Sequence, residues 1–496
     1  MNPQILSDLK LFHPEIFLTA TILLVIVADL AFNRIRKSVT FCLAALGLVA
    51  AMTASIPLFG ADAGSLFFGV IALDPMTVFF KIFLIVTSFF VLFAASGSRE
   101  LAQRNMGEFY TLLLGVTLAM MLLASSSDML MLYLALEMVS IGSYIMVGYL
   151  KNDRQSNEAS LKYLLFGAVS AGTMLYGMTM VYGLTGTTKL AAIREALMQG
   201  SASGGNALTL LIATVMILAG FGFKIAAVPF HFWCPDVYSG APTPVTAFLS
   251  VGPKAAGFAV LIRFFYTGYQ GPNYGGTSSE HTVYWNALLI LISVVTMTLG
   301  NIAALRQNNL KRLLAYSSIA HAGYILMGAV VLTSQGLQSV LVYLVTYLFM
   351  NLGAFLVVIA VYNHTGSFDI QDYRGLIRRS PLLTISMSFF LLSLMGIPPF
   401  AGFLGKLYVF GAAVNNHLAW FAVIGALNSV VAVYYYARIM KTMIIEESDV
   451  TARLSVSPLN QILIWIMVLP TIGLMIFWTG IEKLTQASVA NLFFGR

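Results

Sequence analysis

Charged residues, cysteines and nucleotide-binding motifs are all scarce in this sequence. Only 9% of its 496 residues are charged, whereas 59% are hydrophobic, with a mean hydropathy of +0.86. Its two cysteines, Cys42 and Cys234, lie far apart without a Cys-x-x-Cys spacing, which excludes an iron–sulfur cluster ligated by this chain alone. There is no Walker loop and no Gly-x-Gly-x-x-Gly after a strand. The six histidines include no i, i+4 pair that could bind haem or zinc, so electron transfer and nucleotide hydrolysis are not expected here.

Apolar runs long enough to cross a bilayer, about 20 residues each, recur along the whole chain. We predict an all-α polytopic membrane protein with fourteen transmembrane helices and short connections. The predicted spans are 14–33, 39–59, 72–95, 108–124, 128–149, 161–184, 208–229, 242–265, 284–304, 313–333, 337–362, 382–403 running on to about 416, 418–440 and 460–480. The first span has acidic flanks and no small-residue cleavage site, so we expect it to be retained rather than removed as a signal peptide.

The basic residues are distributed unevenly between the two sets of connections. The odd-numbered connections contain sixteen: Arg34, Arg36, Lys37, Arg99, Arg104, Lys151, Arg154, Arg306, Lys311, Arg312, Arg374, Arg378, Arg379, Arg438, Lys441 and Arg453. The other side contains five: Lys10, Lys189, Arg194, Lys483 and Arg496. Because Lys and Arg accumulate in cytoplasmic loops, we expect an even number of spans with both termini on the non-cytoplasmic side. This pattern also argues against nucleic acid as the reason for the formal net charge of +7.

The two halves of the chain share a weak repeat at an offset of 180 residues. The segment 144–148 matches 324–328, and each half then carries a proline inside an apolar run, at Pro229 and at Pro398-Pro399. Proline interrupts a helix, so we predict one broken helix in each half. Five spans separate equivalent positions, which would give two inverted five-helix repeats, although such matches in apolar sequence also arise by chance. The corresponding predicted units are 1–105, 106–270, 271–445 and 446–496.

Six of the ionisable side chains inside these predicted spans are candidates for a functional role. They are Glu137, Lys162, Lys224, Lys254, His321 and Lys406. A charge near the bilayer centre costs about 2.5–3.5 kcal/mol on insertion scales, and such residues usually line ion or proton pathways. We therefore interpret them as proton carriers, with Lys224 and Lys406 beside the two breaks. The structural alternative is that these side chains only join helices through hydrogen bonds.

Other polar residues in the same regions leave alternatives open. Lys162 is close to a charged connection and could extend to the membrane surface instead. His321 has the pKa range of a relay, about 6.5 when unperturbed, yet a lone histidine on an apolar helix is often a packing residue. His231, beside the first break, could line the cytoplasmic uptake route, and we expect Asp236 to cap or solvate the turn. Lys81 could be a relay or a lipid-facing residue, and we interpret the aromatic residues as packing.

Several segments, in this order, resemble the antiporter-like membrane subunits of respiratory complex I and of multisubunit sodium/proton antiporters. The resemblance is greatest to the subunit N type and to its cyanobacterial and plastid counterparts. The segments are Leu136-Glu137-Met138, Ser160-Leu161-Lys162-Tyr163, Phe223-Lys224, Val228-Pro229-Phe230-His231-Phe232-Trp233, Ala241-Pro242-Thr243-Pro244-Val245, Lys254, Leu313–Tyr324 with His321, and Gly396–Phe403 leading to Lys406. The lysine at position 406 makes the chain similar to the subunit N type, whereas the subunit M type usually has a glutamate at that place.

The resemblance implies a proton-translocating subunit of a complex I-type NAD(P)H or ferredoxin:quinone oxidoreductase. It implies a Glu137–Lys224 pair, connecting residues Lys254 and His321, and an exit residue Lys406. It also implies that quinone, flavin and iron–sulfur clusters lie in partner membrane and peripheral subunits, with no cofactor in this chain. We expect the chain to be embedded in the lipid of an energy-transducing membrane, such as the bacterial inner membrane.

Three other functions are compatible with parts of the sequence. A subunit of a stand-alone sodium/proton antiporter would share the fold without a redox partner. A purely structural subunit would use the buried charges to hold helices together. A solute carrier fits least well, because no cluster of residues indicates a pocket for anything larger than a proton or small cation.

Overall fold

The computed structural model describes residues 3–32, 36–61, 63–102, 104–201, 206–269, 280–448 and 452–490, which form a bundle of helices. The helices are α1 (Pro3–Leu11), α2 (His13–Ala31), α3 (Arg36–Ser55), α4 (Pro75–Ser96), α5 (Met106–Ser125), α6 (Met129–Val147), α7 (Arg154–Thr185), α8 (Leu190–Ala196), α9 (Asn206–Ile225), α10 (Trp233–Gly240), α11 (Thr243–Arg263), α12 (Glu280–Ala304), α13 (Leu310–Val330), α14 (Ser334–Thr365), α15 (Leu376–Arg379), α16 (Pro381–Met395), α17 (Ala401–Asn415), α18 (Ala419–Ile444), α19 (Pro458–Ile476) and α20 (Trp478–Val489).

The membrane-spanning architecture predicted from the apolar runs is confirmed. Thirteen helices in the described part of the chain are long and apolar enough to cross a membrane. The remaining predicted span, 382–416, consists of two shorter helices in succession, α16 and α17. The chain is therefore a multi-pass, all-α membrane protein.

Both predicted helix breaks are present, and each lies at its proline. Helix α9 ends at Ile225, Ala226 has a positive φ of 59°, and α10 begins only at Trp233, beyond Pro229. Helix α16 ends at Met395 and is capped by Gly396, whose φ of +82° is a left-handed conformation that glycine adopts without steric cost. Because proline lacks an N–H and clashes with the preceding turn, neither helix continues through its break.

Elements separated by 180 residues have equal lengths and equal ends. Helices α7 and α14 both contain 32 residues, and each is terminated by a left-handed glycine, Gly186 and Gly366. Each long helix is preceded by another span, α6 or α13. In each half, the residue just before that span forms an isolated β-bridge with a residue shortly after the long helix. The bridges are Asp128–Lys189 and Asn309–Asp369. These equivalences support a repeat, whereas its inverted orientation and the boundaries of the four units stay predictions.

The structure also contains elements that the apolar pattern did not predict. A two-stranded antiparallel hairpin, β1 (Gly64–Leu66) and β2 (Ile71–Leu73), precedes α4. The predicted start of the third span at residue 72 was wrong, because residues 71–73 form β2 and Asp74 caps α4 by accepting from the Thr77 N–H. The short helices α1, α8, α10, α15 and α20, which lie wholly or mostly outside the predicted spans, were likewise not predicted.

The most buried helices lie where candidate residues are concentrated. Every residue of α11 is buried, as are nearly all residues of α13 and most of α14. By contrast, α6 exposes one face through Leu130, Leu134 and Ile141. The candidate residues Lys254 and His321 are therefore in the centre of the bundle, whereas Glu137 is on a peripheral helix.

Candidate functional site

Lys224 lies at the end of the first half of the broken helix, at its junction with α6. Its side chain is 1% exposed, and its Nζ donates to Ser140 Oγ at 3.0 Å. Glu137 lies one turn before Ser140 and is half-buried, next to the exposed Met138. No ion pair within 4.0 Å joins it to Lys224, although the two charges lie within electrostatic range. The structure therefore does not bring the implied Glu137–Lys224 pair into direct contact, and Lys224 bonds Ser140 instead.

Lys254 follows Pro253 inside α11 and connects that helix to α13. Its Nζ donates to Ser318 Oγ at 2.6 Å and to the Ser318 carbonyl at 3.0 Å. Lys224 also packs against α11, because a side chain at Gly257 would approach the Lys224 Cγ to 3.3 Å. Gly257 is one turn beyond Lys254, so α11 connects the surroundings of the two lysines.

His321 lies one turn beyond Ser318 on α13 and is bonded on both ring nitrogens. Nδ1 is 2.9 Å from the Tyr343 hydroxyl on α14, and Nε2 is 3.3 Å from the Tyr436 hydroxyl on α18. The same Tyr436 hydroxyl bonds Ser317 Oγ. The interpretation of all aromatic residues as packing was therefore wrong for these two tyrosines. Only Tyr343 had a signal in the sequence, because it aligns with Tyr163 at the repeat offset of 180 residues.

Lys406 lies in the second half of the other broken helix and reaches back to the first half. Its Nζ donates to the Met395 carbonyl at 2.6 Å, where the last carbonyls of α16 have no partner within the helix. The same nitrogen is 5.0 Å from the centroid of the Tyr324 ring. The neighbouring Gly405 faces Tyr343, at 3.2 Å from where a Cβ would be. Lys406 is therefore one contact away from the His321 cluster.

The three central lysines share one kind of environment. Among the described residues, none of Lys224, Lys254 and Lys406 has a carboxylate within 4.0 Å, and each donates instead to a neutral oxygen. A serine hydroxyl or a carbonyl oxygen accepts a hydrogen bond from an amine as well as from an ammonium. The side chains can thus stay in position when a proton leaves or arrives, and the arrangement is chemically suited to relaying protons.

Comparisons with known proteins assign the chain to a family. Residues 126–432 match the protein family described as NADH:quinone oxidoreductase/Mrp antiporter, TM. The chain belongs to this family. It is 46% identical to NADH-quinone oxidoreductase subunit N of Anaeromyxobacter sp. (strain Fw109-5), over 98% of this chain and 97% of that protein. It is 44% identical to NAD(P)H-quinone oxidoreductase subunit 2 of Gloeobacter violaceus, over 88% of this chain and 82% of that one.

A solved structure extends the likeness to the fold of almost the whole chain. A chain of respiratory complex I from Thermus thermophilus with bound Aureothin is 29% identical, with a TM-score of 0.79. The match covers 96% of this chain and 99% of that chain. The resemblance to the complex I and antiporter family is therefore confirmed.

In this member of the family, Lys162 and His231 line a surface cleft. They lie apart from the central line of buried residues, which consists of Lys224, Lys254, His321 and Lys406. Lys162 has a 38% exposed side chain and pairs with Glu158 at 2.9 Å and with Asp236 at 2.7 Å. Asp236 also pairs with Arg312 at 2.8 Å, so the expectation that it caps or solvates the turn was wrong. Together with the buried His231, these side chains line a cavity of about 410 Å³. The structure supports the surface interpretation of Lys162.

The two cations determine the charge of Asp236. Burial by itself would raise the pKa of this carboxyl group, but the hydrogen bonds and charges of Lys162 and Arg312 hold the pKa below its ordinary value. The carboxylate is therefore ionised at neutral pH and joins α7, α10 and α13 at the mouth of the cleft.

Two buried ion pairs lie outside the central line. Lys81, fully buried on α4, pairs at 2.7 Å with Glu15 on α2, so it is not lipid-facing. Arg263, at the end of α11, makes a bidentate contact to Asp74 at 2.7 and 3.0 Å. In the sequence, Glu15 is recognisable as a carboxylate near the start of an apolar run. That it pairs with Lys81 became apparent only from the packing of α2 and α4.

Proposed function

We propose that this chain is a proton-translocating membrane subunit of a complex I-type NAD(P)H or ferredoxin:quinone oxidoreductase. Quinone reduction in partner subunits would drive proton movement through the membrane at this chain. The observation that carries the proposal is a set of three buried lysines bonded to neutral oxygens, with Lys224 and Lys406 at the two broken helices and Lys254 on α11. The names of the relatives, which are NADH- and NAD(P)H-quinone oxidoreductase subunits, support the same conclusion.

The proton path follows contacts that connect one carrier to the next. A change in charge near Glu137 alters how strongly Lys224 holds its proton, because the two groups interact electrostatically. Lys224 packs one turn from Lys254 on α11, which in turn bonds Ser318, one turn from His321. From there Tyr343, which bonds His321 and faces Gly405 on α17, leads to the neighbouring Lys406.

The uptake side of the path is the cleft beside the first break. His231 lines it together with Lys162, Asp236 and Arg312, and the enclosed Nδ1 of His231 makes no hydrogen bond among the described residues. A titratable ring at the base of a polar cleft can take up a proton from the cytoplasmic solution. Lys162 would contribute a positive charge at the opening of this cleft and would not carry protons at the centre of the membrane.

The cellular setting follows from the same proposal. Flavin, iron–sulfur clusters and the quinone site would lie in partner membrane and peripheral subunits. The chain would be embedded in the lipid of an energy-transducing membrane, most simply a bacterial inner membrane, with both termini on the non-cytoplasmic side. Helices 4–8 and 9–13 of the predicted spans would form the two inverted repeats around the path.

Two substitutions on the path test the proposal in the intact complex. Lys224→Ala and Glu137→Gln should each lower the number of protons pumped per quinone reduced in inside-out membrane vesicles. Lys151→Ala, which removes an exposed lysine from a connection, is the matched control and should pump at the parental ratio. Parental ratios in both path variants would overturn the proposal. Reduced assembly with a parental ratio would instead identify the charges as structural.

A sodium/proton antiporter subunit is the second candidate, because the family description includes Mrp antiporters. Capture of the chain from gently solubilised membranes distinguishes the two. Quinone-reductase activity and iron–sulfur subunits in the captured material would support the oxidoreductase. Antiport in membranes that lack any redox subunit would support the antiporter.

A further inference from the structure

We propose that Glu482, on the C-terminal helix α20, is the carboxylate that accepts the proton released from Lys406 on the side of the chain termini. This inference rests on the proposed function and adds a residue beyond the central line. It assigns a catalytic task to a helix that lies outside every membrane span.

The carboxylate of Glu482 is bonded to the half-helix that carries Lys406. Tyr408, two residues beyond Lys406 on α17, donates its hydroxyl hydrogen to Glu482 Oε1 at 2.9 Å. Residues two apart on a helix point in different directions, so Lys406 faces the interior while Tyr408 faces α20. The ring of Tyr408 also contacts that of Trp478, with centroids 6.0 Å apart. One short helix segment thus connects the buried lysine to a peripheral carboxylate.

Helix α14 contacts the surroundings of both groups. Tyr343 on this helix faces Gly405, next to Lys406. Gln338, five residues earlier, donates to the Glu482 carbonyl at 3.2 Å. Five residues of α-helix correspond to about 7.5 Å along the helix axis. Glu482 is therefore displaced from Lys406 toward the N-terminal end of α14, and bridging water would carry the proton between them.

Most carboxylates of the second half lie on the opposite side. Asp369, Asp372, Glu446, Glu447 and Asp449 lie on odd-numbered connections, whereas Glu280 and Glu482 lie on the side of the termini. Of these two we choose Glu482, because its carboxylate accepts from Tyr408 on the half-helix that carries Lys406.

The bonding of Glu482 leaves it free to change its protonation state. It is half-buried, and within the described ranges its carboxylate makes no ion pair. A neutral tyrosine hydroxyl holds one oxygen, so protonation breaks no salt bridge. By contrast, Glu15 and Asp74 are each paired to a buried cation, and a proton arriving there would leave that cation uncompensated.

Variants of Glu482 separate proton acceptance from a purely structural role. Glu482→Gln keeps an oxygen that can accept from Tyr408 but cannot take up a proton at neutral pH. Glu482→Asp keeps the acid, and Tyr408→Phe removes the hydrogen bond while leaving the carboxylate. Lys483→Gln, on the exposed neighbour in the same helix, is the control for a change of charge.

The experiment compares these variants with Lys406→Ala in inside-out vesicles that contain the assembled complex. Protons pumped per quinone reduced are measured, together with the amount of complex. Glu482→Gln should lose as much pumping as Lys406→Ala, Glu482→Asp should recover most of it, and Lys483→Gln should pump at the parental ratio.

Each contrary outcome identifies what has failed. If Lys406→Ala lowers the ratio and Glu482→Gln does not, Glu482 is not the acceptor and the proposed function stands. If Glu482→Gln and Tyr408→Phe lower only the amount of complex, Glu482 merely fastens α20, which also overturns the inference. If Lys406→Ala itself pumps at the parental ratio, the exit through Lys406 is wrong and this inference falls with it.

Discussion

The buried lysines of this protein fall into two groups, according to whether a residue of opposite charge lies beside them. Lys81 is paired with Glu15 at 2.7 Å, whereas Lys224, Lys254 and Lys406 donate only to neutral oxygens. Removing the charge of either partner in a buried ion pair leaves the other partner without its counter-charge, so such a pair serves stability better than transport. We therefore assign Lys81 to stability and the three central lysines to transport.

The Glu15–Lys81 pair gives a prediction at the scale of the residue. Glu15→Gln should destabilise the protein by about 3–5 kcal/mol, because it leaves the Lys81 ammonium buried without its counter-charge. The double variant Glu15→Gln/Lys81→Met should recover most of this loss. Thermal unfolding of the detergent-solubilised complex measures both effects.

A pumping assay on the same variants tests the assignment of Lys81. In the double variant, the protons pumped per quinone reduced should equal the parental value in whatever complex assembles. A lower ratio at normal assembly would show that Lys81 belongs to the transport path and that the separation by partner is wrong.

At the scale of the element, the second break depends on Gly396. This residue ends α16 with a φ of +82°, and a Cβ at the same position would lie 2.6 Å from Lys406 Cδ. The glycine thus serves the backbone and the lysine at the same time. Its replacement affects the helix end and the position of the proposed exit residue together.

Gly396→Ala should destabilise the protein and lower proton pumping. The left-handed conformation costs a residue with a Cβ about 1–2 kcal/mol, and the new methyl group displaces the Lys406 side chain. Gly411→Ala, on α17 in open space and without a positive φ, is the matched control and should be neutral or slightly stabilising. Pumping and thermal stability at the parental level in Gly396→Ala would contradict this account of the break.

At the scale of the whole molecule, the distribution of basic residues determines the expected orientation. Both termini should lie on the non-cytoplasmic side, since sixteen of the Lys and Arg counted above lie on odd-numbered connections and five on the other side. This orientation also places Glu482 on the side of proton release.

Reporter fusions test the orientation directly. Alkaline phosphatase fused after α20 should be active because it reaches the non-cytoplasmic side, and a fusion within 366–380 should be inactive. A cytoplasmic reporter such as green fluorescent protein should give the opposite pattern at the same two sites. Reversed activities would invert the topology and would assign Glu482 to the uptake side.

The sequence by itself determined the multi-pass helical architecture, the two breaks and the four buried ionisable residues Lys224, Lys254, His321 and Lys406. These features are local: the length of an apolar run, a proline within it and a charge inside it can each be recognised without knowledge of the packing. The family motifs around Lys224, His321 and Lys406 are local as well.

Only the tertiary structure decided what each of these groups contacts. Ser140 rather than Glu137 bonds Lys224, Tyr436 from α18 reaches His321, Lys162 turns to a surface cleft, and Glu15 meets Lys81. Such contacts depend on how helices distant in sequence rotate and pack against one another. An apolar helix buried on every side has almost no periodic pattern to encode that rotation, so the partners became known only once the helices were in place.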